Sequence, residues 1–276
     1  MIHQEISLKV SDGIELIGNR WLPDEKARAS ICLIHGLGEH TGRYQWVAEY
    51  LTAHGYALTG YDLHGHGKTQ GPRGHFPSYE RALDDIQDSL DSIEKMDGKP
   101  ADFIYGHSMG GNLGLNFLMR RQPHLKGAVI TSPGLEPYNK APAWKLSLGK
   151  IMYTLAPTFA LANGLELPYL SRDLKVIEAY KNDPLVHGVI SARFALDFLT
   201  AGEWAFQHPE LVKVPLLIQV GTEDHLISYS KVKEFAQKVP GVTYREWQGF
   251  YHETHNEPEK EQVLQVMVNW LDSHLA

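Results

Sequence analysis

Gly106-His107-Ser108-Met109-Gly110-Gly111 lies between a strand-like run, Asp102–Tyr105, and a helix-like one, Asn112–Leu118. A serine at the tip of so tight a turn is held in a strained backbone conformation. Only glycine at the flanking positions lets the strand and the helix pass without collision. The motif therefore commits this stretch to a strand feeding directly into a helix, the building unit of an α/β sheet. It also projects the serine Oγ outward and leaves the N–H groups that follow at a helix N-terminus, where developing negative charge is stabilised. A small-residue turn with no chemistry is the alternative in a chain with 25 Gly. The strand and helix flanks, and the partner residues found downstream, favour a nucleophile.

The remaining pattern agrees with such a sheet. Residues 2–10 and 14–22 alternate apolar and polar around Ser11-Asp12-Gly13 and predict an antiparallel hairpin. Short apolar runs then follow at Ile31–His35, Tyr56–Tyr61, Asp102–Tyr105, Ala128–Thr131, Leu216–Val220 and Thr243–Trp247. Helix-period stretches lie between them at about 44–54, 78–96, 110–121, 229–238 and 258–274. Strand alternating with helix predicts a mostly parallel sheet covered on both faces, with reactive groups at the C-terminal strand ends.

One stretch breaks the alternation. Residues 133–208 hold six prolines, helix-like pieces and no clear strand, with a dense apolar set from Trp144 to Leu167. The expectation is an inserted cap at 133–208 between two parts of one core, 1–132 and 209–276. The apolar set packs cap on core, lines a lipid channel or touches a membrane.

Composition excludes several classes. At 276 residues, 43% hydrophobic and 21% charged, the chain is globular. A net charge of −7 argues against nucleic acid as a partner and against stable docking on anionic membranes. The single cysteine, Cys32, sits in an apolar strand pattern and forms no internal disulfide. His64/His66 and His252/His255 lack a third ligand, so no metal and no cofactor is expected. Met1-Ile2-His3-Gln4-Glu5 has neither the basic nor the apolar part of a signal peptide, and no apolar run is long enough to span a bilayer. The expected location is cytoplasmic.

A serine nucleophile needs a base, an orienter for the base and an oxyanion hole. After the penultimate strand, Val220-Gly221-Thr222-Glu223-Asp224 offers two acids; Asp224, further into the loop, is chosen over Glu223. After the last strand, Gly249-Phe250-Tyr251-His252-Glu253-Thr254-His255 offers two histidines, and position selects His252 as base. His255, one turn on, is a pocket residue or a bland one. The oxyanion donors would be the N–H of Met109, directly after the serine, and that of Leu37 in His35-Gly36-Leu37-Gly38.

At this point the chain resembles a known family. His35–Tyr44, Asp62-Leu63-His64-Gly65-His66-Gly67, Gly106–Gly111 and Tyr251–His255 are similar to the corresponding segments of the monoacylglycerol lipases, within the α/β-hydrolase superfamily. The likeness runs from about residue 5 to the C-terminus. The pairing of Gly38-Glu39-His40 with Gly42-Arg43-Tyr44 makes it narrower than the serine motif alone. The resemblance implies an α/β-hydrolase fold with Ser108, Asp224 and His252 as triad and Leu37 and Met109 as oxyanion donors. It implies that Glu39 helps bind glycerol hydroxyls with Arg43, Tyr180 and His255, and that Asp62 is structural. The function it implies is cofactor-free hydrolysis of monoacylglycerols, with transient membrane contact through the cap. A lysophospholipase or general carboxylesterase, an aminopeptidase, and a non-catalytic ligand receptor of the same fold are the rivals.

Overall fold

The computed structural model describes residues 1–275. Strands β1 (Ile2–Lys9) and β2 (Glu15–Leu22) pair antiparallel across the Ser11–Gly13 turn. Then β3 (Ala29–Ile34), α1 (Gln45–Ala53), β4 (Tyr56–Tyr61), α2 (Tyr79–Asp97), β5 (Phe103–His107), α3 (Met109–Arg121) and β6 (Gly127–Thr131) alternate. An insertion follows, with α4 (Ala143–Leu155), β7 (Ala160–Ala162), α5 (Leu174–Asn182), β8 (Val189–Ser191) and α6 (Ala192–Gln207). The alternation resumes through β9 (Leu216–Gly221), α7 (Tyr229–Lys238), β10 (Thr243–Trp247) and α8 (Lys260–Ser273).

Eight strands form one sheet in the order β1-β2-β4-β3-β5-β6-β9-β10. From β4 to β10 every pairing is parallel, while β2 runs antiparallel to both its neighbours. Strands β3, β4, β5, β6 and β9 are buried along their whole length, so they read as continuous apolar runs rather than as alternation. Their side chains still divide by the period of two. Ile31 and Leu33 pack with Val47, Leu51, Leu264 and Val268 of α1 and α8. Cys32 and Ile34 pack on the other face with Leu83, Ile86, Leu113 and Phe117 of α2 and α3. Burial pushes the Cys32 thiol up to about 12, so it packs as an inert small hydrophobe.

The observed elements match the predicted ones within one or two residues, with one omission. The short β7 and β8 pair antiparallel, Ala160 opposite Ser191, inside a region read as strandless. Three residues are too few to show a period, and their partners lie some thirty residues away in sequence. For function the consequence of the topology is simple. Because β3, β5, β9 and β10 run parallel, the loops after all four open on the same edge of the sheet, beneath the insertion.

Candidate active site

Ser108 stands between β5 and α3 with φ 54° and ψ −111°, a left-handed conformation that side-chain-bearing residues rarely adopt. The turn is held by its backbone: Ser108 N–H donates to Thr131 O (3.0 Å), and Ser108 O accepts from Asn112 N–H and Gly134 N–H (3.0 Å each). Helix α3 passes so near β3 that a Cβ on Gly110 would lie 2.0 Å from the Ile34 carbonyl oxygen. That contact is the steric reason for the second glycine of the motif.

The loops after β9 and β10 deliver the other two residues. Asp224 Oδ1 accepts from the N–H groups of Leu226 (2.9 Å) and Ile227 (3.0 Å), which fixes the carboxylate and leaves Oδ2 for His252 Nδ1 at 2.7 Å. His252 Nε2 lies 2.8 Å from Ser108 Oγ. Asp224 and His252 are both buried, and Ser108 is half-buried. Glu223, the competing acid, is exposed and faces His225 at 3.6 Å. Burial alone would lower the His252 pKa. The Asp224 carboxylate, by charge and hydrogen bond, and Glu253 and Glu39 beyond it, hold it above its ordinary value. A carboxylate, an imidazole and a hydroxyl in this line can draw the proton from the serine.

Leu37 follows β3 and lines the cavities at Ser108; Met109 is the first residue of α3. Among the described residues neither Leu37 N–H nor Met109 N–H has a hydrogen-bond partner. Both stay available to an anionic oxygen.

Two spaces meet at Ser108. A cavity of about 530 Å³ runs under the insertion, walled by Leu146, Leu161, Leu196, Phe198, Leu199 and Ile227. This is within the usual range of ligand pockets, roughly 300–1,000 Å³. On the other side lies a space of about 10 Å³, bounded by polar groups of Glu39, Arg43, Tyr180, His252 and Glu253 and by Leu37, Leu165 and Leu170. The apolar set of α4 accordingly splits. Leu146 faces the large cavity, whereas Trp144, Leu148, Ile151 and Leu155, at helical spacing, face outward and are exposed.

The remaining candidates differ in where their side chains lie. Tyr180, from α5, lines the small space with its hydroxyl unpartnered, and the Arg43 guanidinium lies 4.6 Å over its ring. Glu39 lines it too, but both its oxygens are already engaged. Oε1 accepts from Gly36 N–H (2.5 Å) and Tyr44 OH (2.7 Å), and Oε2 accepts from Arg43. His255 does not line it. Its ring, 1% exposed, stacks on Tyr44 and meets His107 edge-on. Burial, with His107 beside it, lowers its pKa to about 3, so it is a neutral packing group. Asp62 ties two loops, accepting from Thr41 N–H (2.8 Å) and Lys68 N–H (2.9 Å).

Glu253 was missed in the sequence. It grips Arg43 through both oxygens (2.7 and 2.8 Å), across 210 residues of chain. An acid beside the candidate base was the available signal, but nothing local names its partner.

Comparison with known proteins follows the same lines. The family model described as serine aminopeptidase, S33, matches residues 25–259. The chain is 34% identical to the phospholipase YtpA of Bacillus subtilis, covering 92% of this chain and 99% of that protein. It is 30% identical to the monoacylglycerol lipase of Mycolicibacterium smegmatis, covering 95% of each. An uncharacterised abhydrolase domain-containing protein of Dictyostelium discoideum is 34% identical over 98% of this chain, which spans 29% of that longer protein. The crystal structure of the Paleococcus ferrophilus monoacylglycerol lipase superposes with a TM-score of 0.85 at 35% identity, covering 94% of this chain and 99% of that one. With a mostly parallel eight-stranded sheet, helices on both faces and a serine at the strand-to-helix turn, the chain belongs to the serine aminopeptidase S33 family of α/β hydrolases.

Proposed function

We propose that this protein is a serine ester hydrolase that cleaves monoacylglycerols to a fatty acid and glycerol. The observation that carries the reading is the position of Ser108, in line with His252 and Asp224, where a long apolar cavity meets a small polar space. The acyl chain occupies the first, and the glycerol end faces the polar groups that bound the second. Ser108 Oγ attacks the ester carbonyl while His252 Nε2 takes its proton and Asp224 holds the imidazole. The N–H groups of Leu37 and Met109 receive the oxyanion. His252 then protonates the leaving glycerol oxygen, and a water, deprotonated in turn by His252, releases the fatty acid from the acyl-enzyme. The chemistry calls for no cofactor.

The lining of the small space argues for the charge of the leaving group. In the small space two carboxylates, Glu39 and Glu253, share one guanidinium, so no spare positive charge is placed there for a phosphodiester. This weighs against a lysophospholipid, although one similar protein is a phospholipase. The test is kcat/KM on a monoacylglycerol, a diacylglycerol and a lysophosphatidylcholine carrying the same acyl chain. The monoacylglycerol is expected to lead; a lysophosphatidylcholine leading by tenfold would overturn the choice of substrate. Removing the unpartnered hydroxyl by Tyr180→Phe is expected to raise KM for monoacylglycerol several-fold, since one hydrogen bond contributes about 1 kcal/mol. Hydrolysis of p-nitrophenyl butyrate, which has no glycerol, should not change.

Residues 133–208 serve in this reading as a cap that encloses the chain and meets lipid. Among the described residues no helix is long and apolar enough to cross a membrane. The outward face of α4, Trp144, Leu148, Ile151 and Leu155, would rest transiently on a lipid surface, in a protein working from the cytoplasm. The two faces of α4 should then separate experimentally. Leu146→Asp is expected to slow laurate esters far more than butyrate esters, each buried methylene contributing about 0.8 kcal/mol. Ile151→Asp with Leu155→Asp should slow hydrolysis of vesicle-borne substrate and leave soluble short esters unaffected. Equal losses on all substrates from both variants would make the helix structural support only.

A further inference from the structure

We propose that Glu253 is a positioning residue: through Arg43 it ties the loop that carries His252 to the loop that carries Leu37. Base and oxyanion donor are thus set by one buried carboxylate–guanidinium–carboxylate bridge. The inference rests on the ester-hydrolase reading and is independent of which alcohol leaves.

The bridge is built from both sides. Arg43 Nη1 and Nη2 donate to Glu253 Oε1 and Oε2 at 2.7 and 2.8 Å, the two-pronged arrangement in which a planar guanidinium fixes orientation as well as distance. Nη1 also donates to Glu39 Oε2. From Glu39 the link continues to the backbone, since Oε1 accepts from Gly36 N–H at 2.5 Å, one residue before Leu37. A Cβ on Gly36 would lie 2.6 Å from that oxygen, so the loop carries glycine where the carboxylate tucks beneath it.

At its other end Glu253 is anchored independently of Arg43. Its N–H donates to Leu170 O (2.7 Å), and its Oε2 accepts from Asn256 Nδ2 (2.7 Å). His252, directly before it, has its carbonyl held by Ser132 Oγ at 2.7 Å. Glu39 and Glu253 are each 2% exposed, so water does not compete for these bonds. The Arg43 charge holds the Glu253 carboxyl well below its usual range against the opposing effect of burial, which keeps it an acceptor through the working pH range. Tyr44 runs beside this bridge, its hydroxyl on Glu39 and its ring on His255, but the Arg43 bridge is the link that ends on residue 253 itself, next to His252. A shift of either by an ångström would move Nε2 or the Leu37 N–H off the reacting atoms, and misplacement on that scale costs on the order of a hundredfold in rate.

Two variants separate the tether from its charge. Glu253→Ala removes the bridge. Glu253→Gln removes the charge and one prong, since its NH₂ must face a donor, but keeps one acceptor for Arg43, which in both variants still has Glu39 as counter-ion. The assay is p-nitrophenyl butyrate hydrolysis, with rates normalised to sites titrated by a fluorophosphonate, so that misfolded protein does not count. Glu253→Ala is expected to lower kcat per titrated site about tenfold or more with KM within threefold, and Glu253→Gln, which keeps one prong, to recover kcat at least threefold over Glu253→Ala. If Glu253→Ala yields no folded protein, Arg43→Lys, which keeps the charge but replaces the fork with a point contact, should show the same loss in kcat. The proposal is overturned by Glu253→Ala within twofold of wild type, or by Glu253→Gln as impaired as Glu253→Ala. For the substitute, an Arg43→Lys kcat within twofold overturns it. A wild-type protein with no esterase activity would instead remove the ester-hydrolase reading itself.

Discussion

A Ser108→Ala protein is expected to fold as the wild type does and to hydrolyse esters at least about a thousandfold more slowly, because triad members act as a unit. The fold should survive because the turn is held by main-chain bonds to Thr131, Asn112 and Gly134, none of which uses the hydroxyl. The left-handed backbone at position 108 costs alanine much what it costs serine. What is lost is the one hydroxyl in reach of His252 Nε2, 2.8 Å away. Activity remaining would come from the oxyanion donors and substrate binding alone, which accelerate hydrolysis over water but form no acyl-enzyme. Circular dichroism and a thermal melt, with rates on p-nitrophenyl butyrate, check both halves. Activity within tenfold of wild type would mean that another nucleophile operates.

Asp224→Asn is expected to lower kcat about ten-thousandfold with little change in fold, by forcing the wrong tautomer on His252. Oδ1 of Asp224 accepts from the Leu226 and Ile227 N–H groups, so an asparagine must keep its oxygen there and turn its NH₂ toward His252. Nδ1 then becomes an acceptor, the proton moves to Nε2, and the imidazole cannot take one from Ser108. The pH profile should move as well. In the wild type His252 must be neutral to act as base, and its pKa is raised above 6.5, chiefly by Asp224 acting against burial. Activity therefore rises with pH through a limb above 6.5. In the variant that support is gone, burial remains, and the limb falls to lower pH. A kcat within a hundredfold of wild type, or an unmoved limb, would count against Asp224 as the orienter.

How much of this could be read from the chain follows from how local each constraint is. Ser108 was legible because the glycines that define its turn lie within five residues, and no other residue type fits where α3 meets Ile34. The core strands were legible because burial on both faces leaves an unbroken apolar run. Asp224 and His252 followed from chain order, since acid and base leave the C-terminal ends of successive parallel strands. The choice over Glu223 finds its physical reason only in three dimensions, where two backbone N–H groups hold Asp224 toward the histidine.

The spacing of His255 allows a pocket residue or a bland one, and the resemblance assigns it to the glycerol site. Its turn is a short 3-10 helix, Thr254–Asn256, that carries the ring onto Tyr44 and His107 instead. Glu39 and Arg43, four residues apart, meet across a single turn. That Glu253 completes the set depends on a contact spanning 210 residues, which no local pattern encodes. The division of α4 into cavity-facing and outward-facing residues likewise needs the core beneath it.

The central claim is that Ser108 forms a covalent acyl intermediate at this junction. The most direct measurement is reaction with a fluorophosphonate followed by mass mapping of the modified peptide, in wild-type and Ser108→Ala proteins. The account predicts one adduct per chain, on Ser108, formed faster as pH rises through the His252 limb, blocked by excess monoacylglycerol and absent from the variant. An adduct on another residue, or equal labelling of the Ser108→Ala protein, would contradict it.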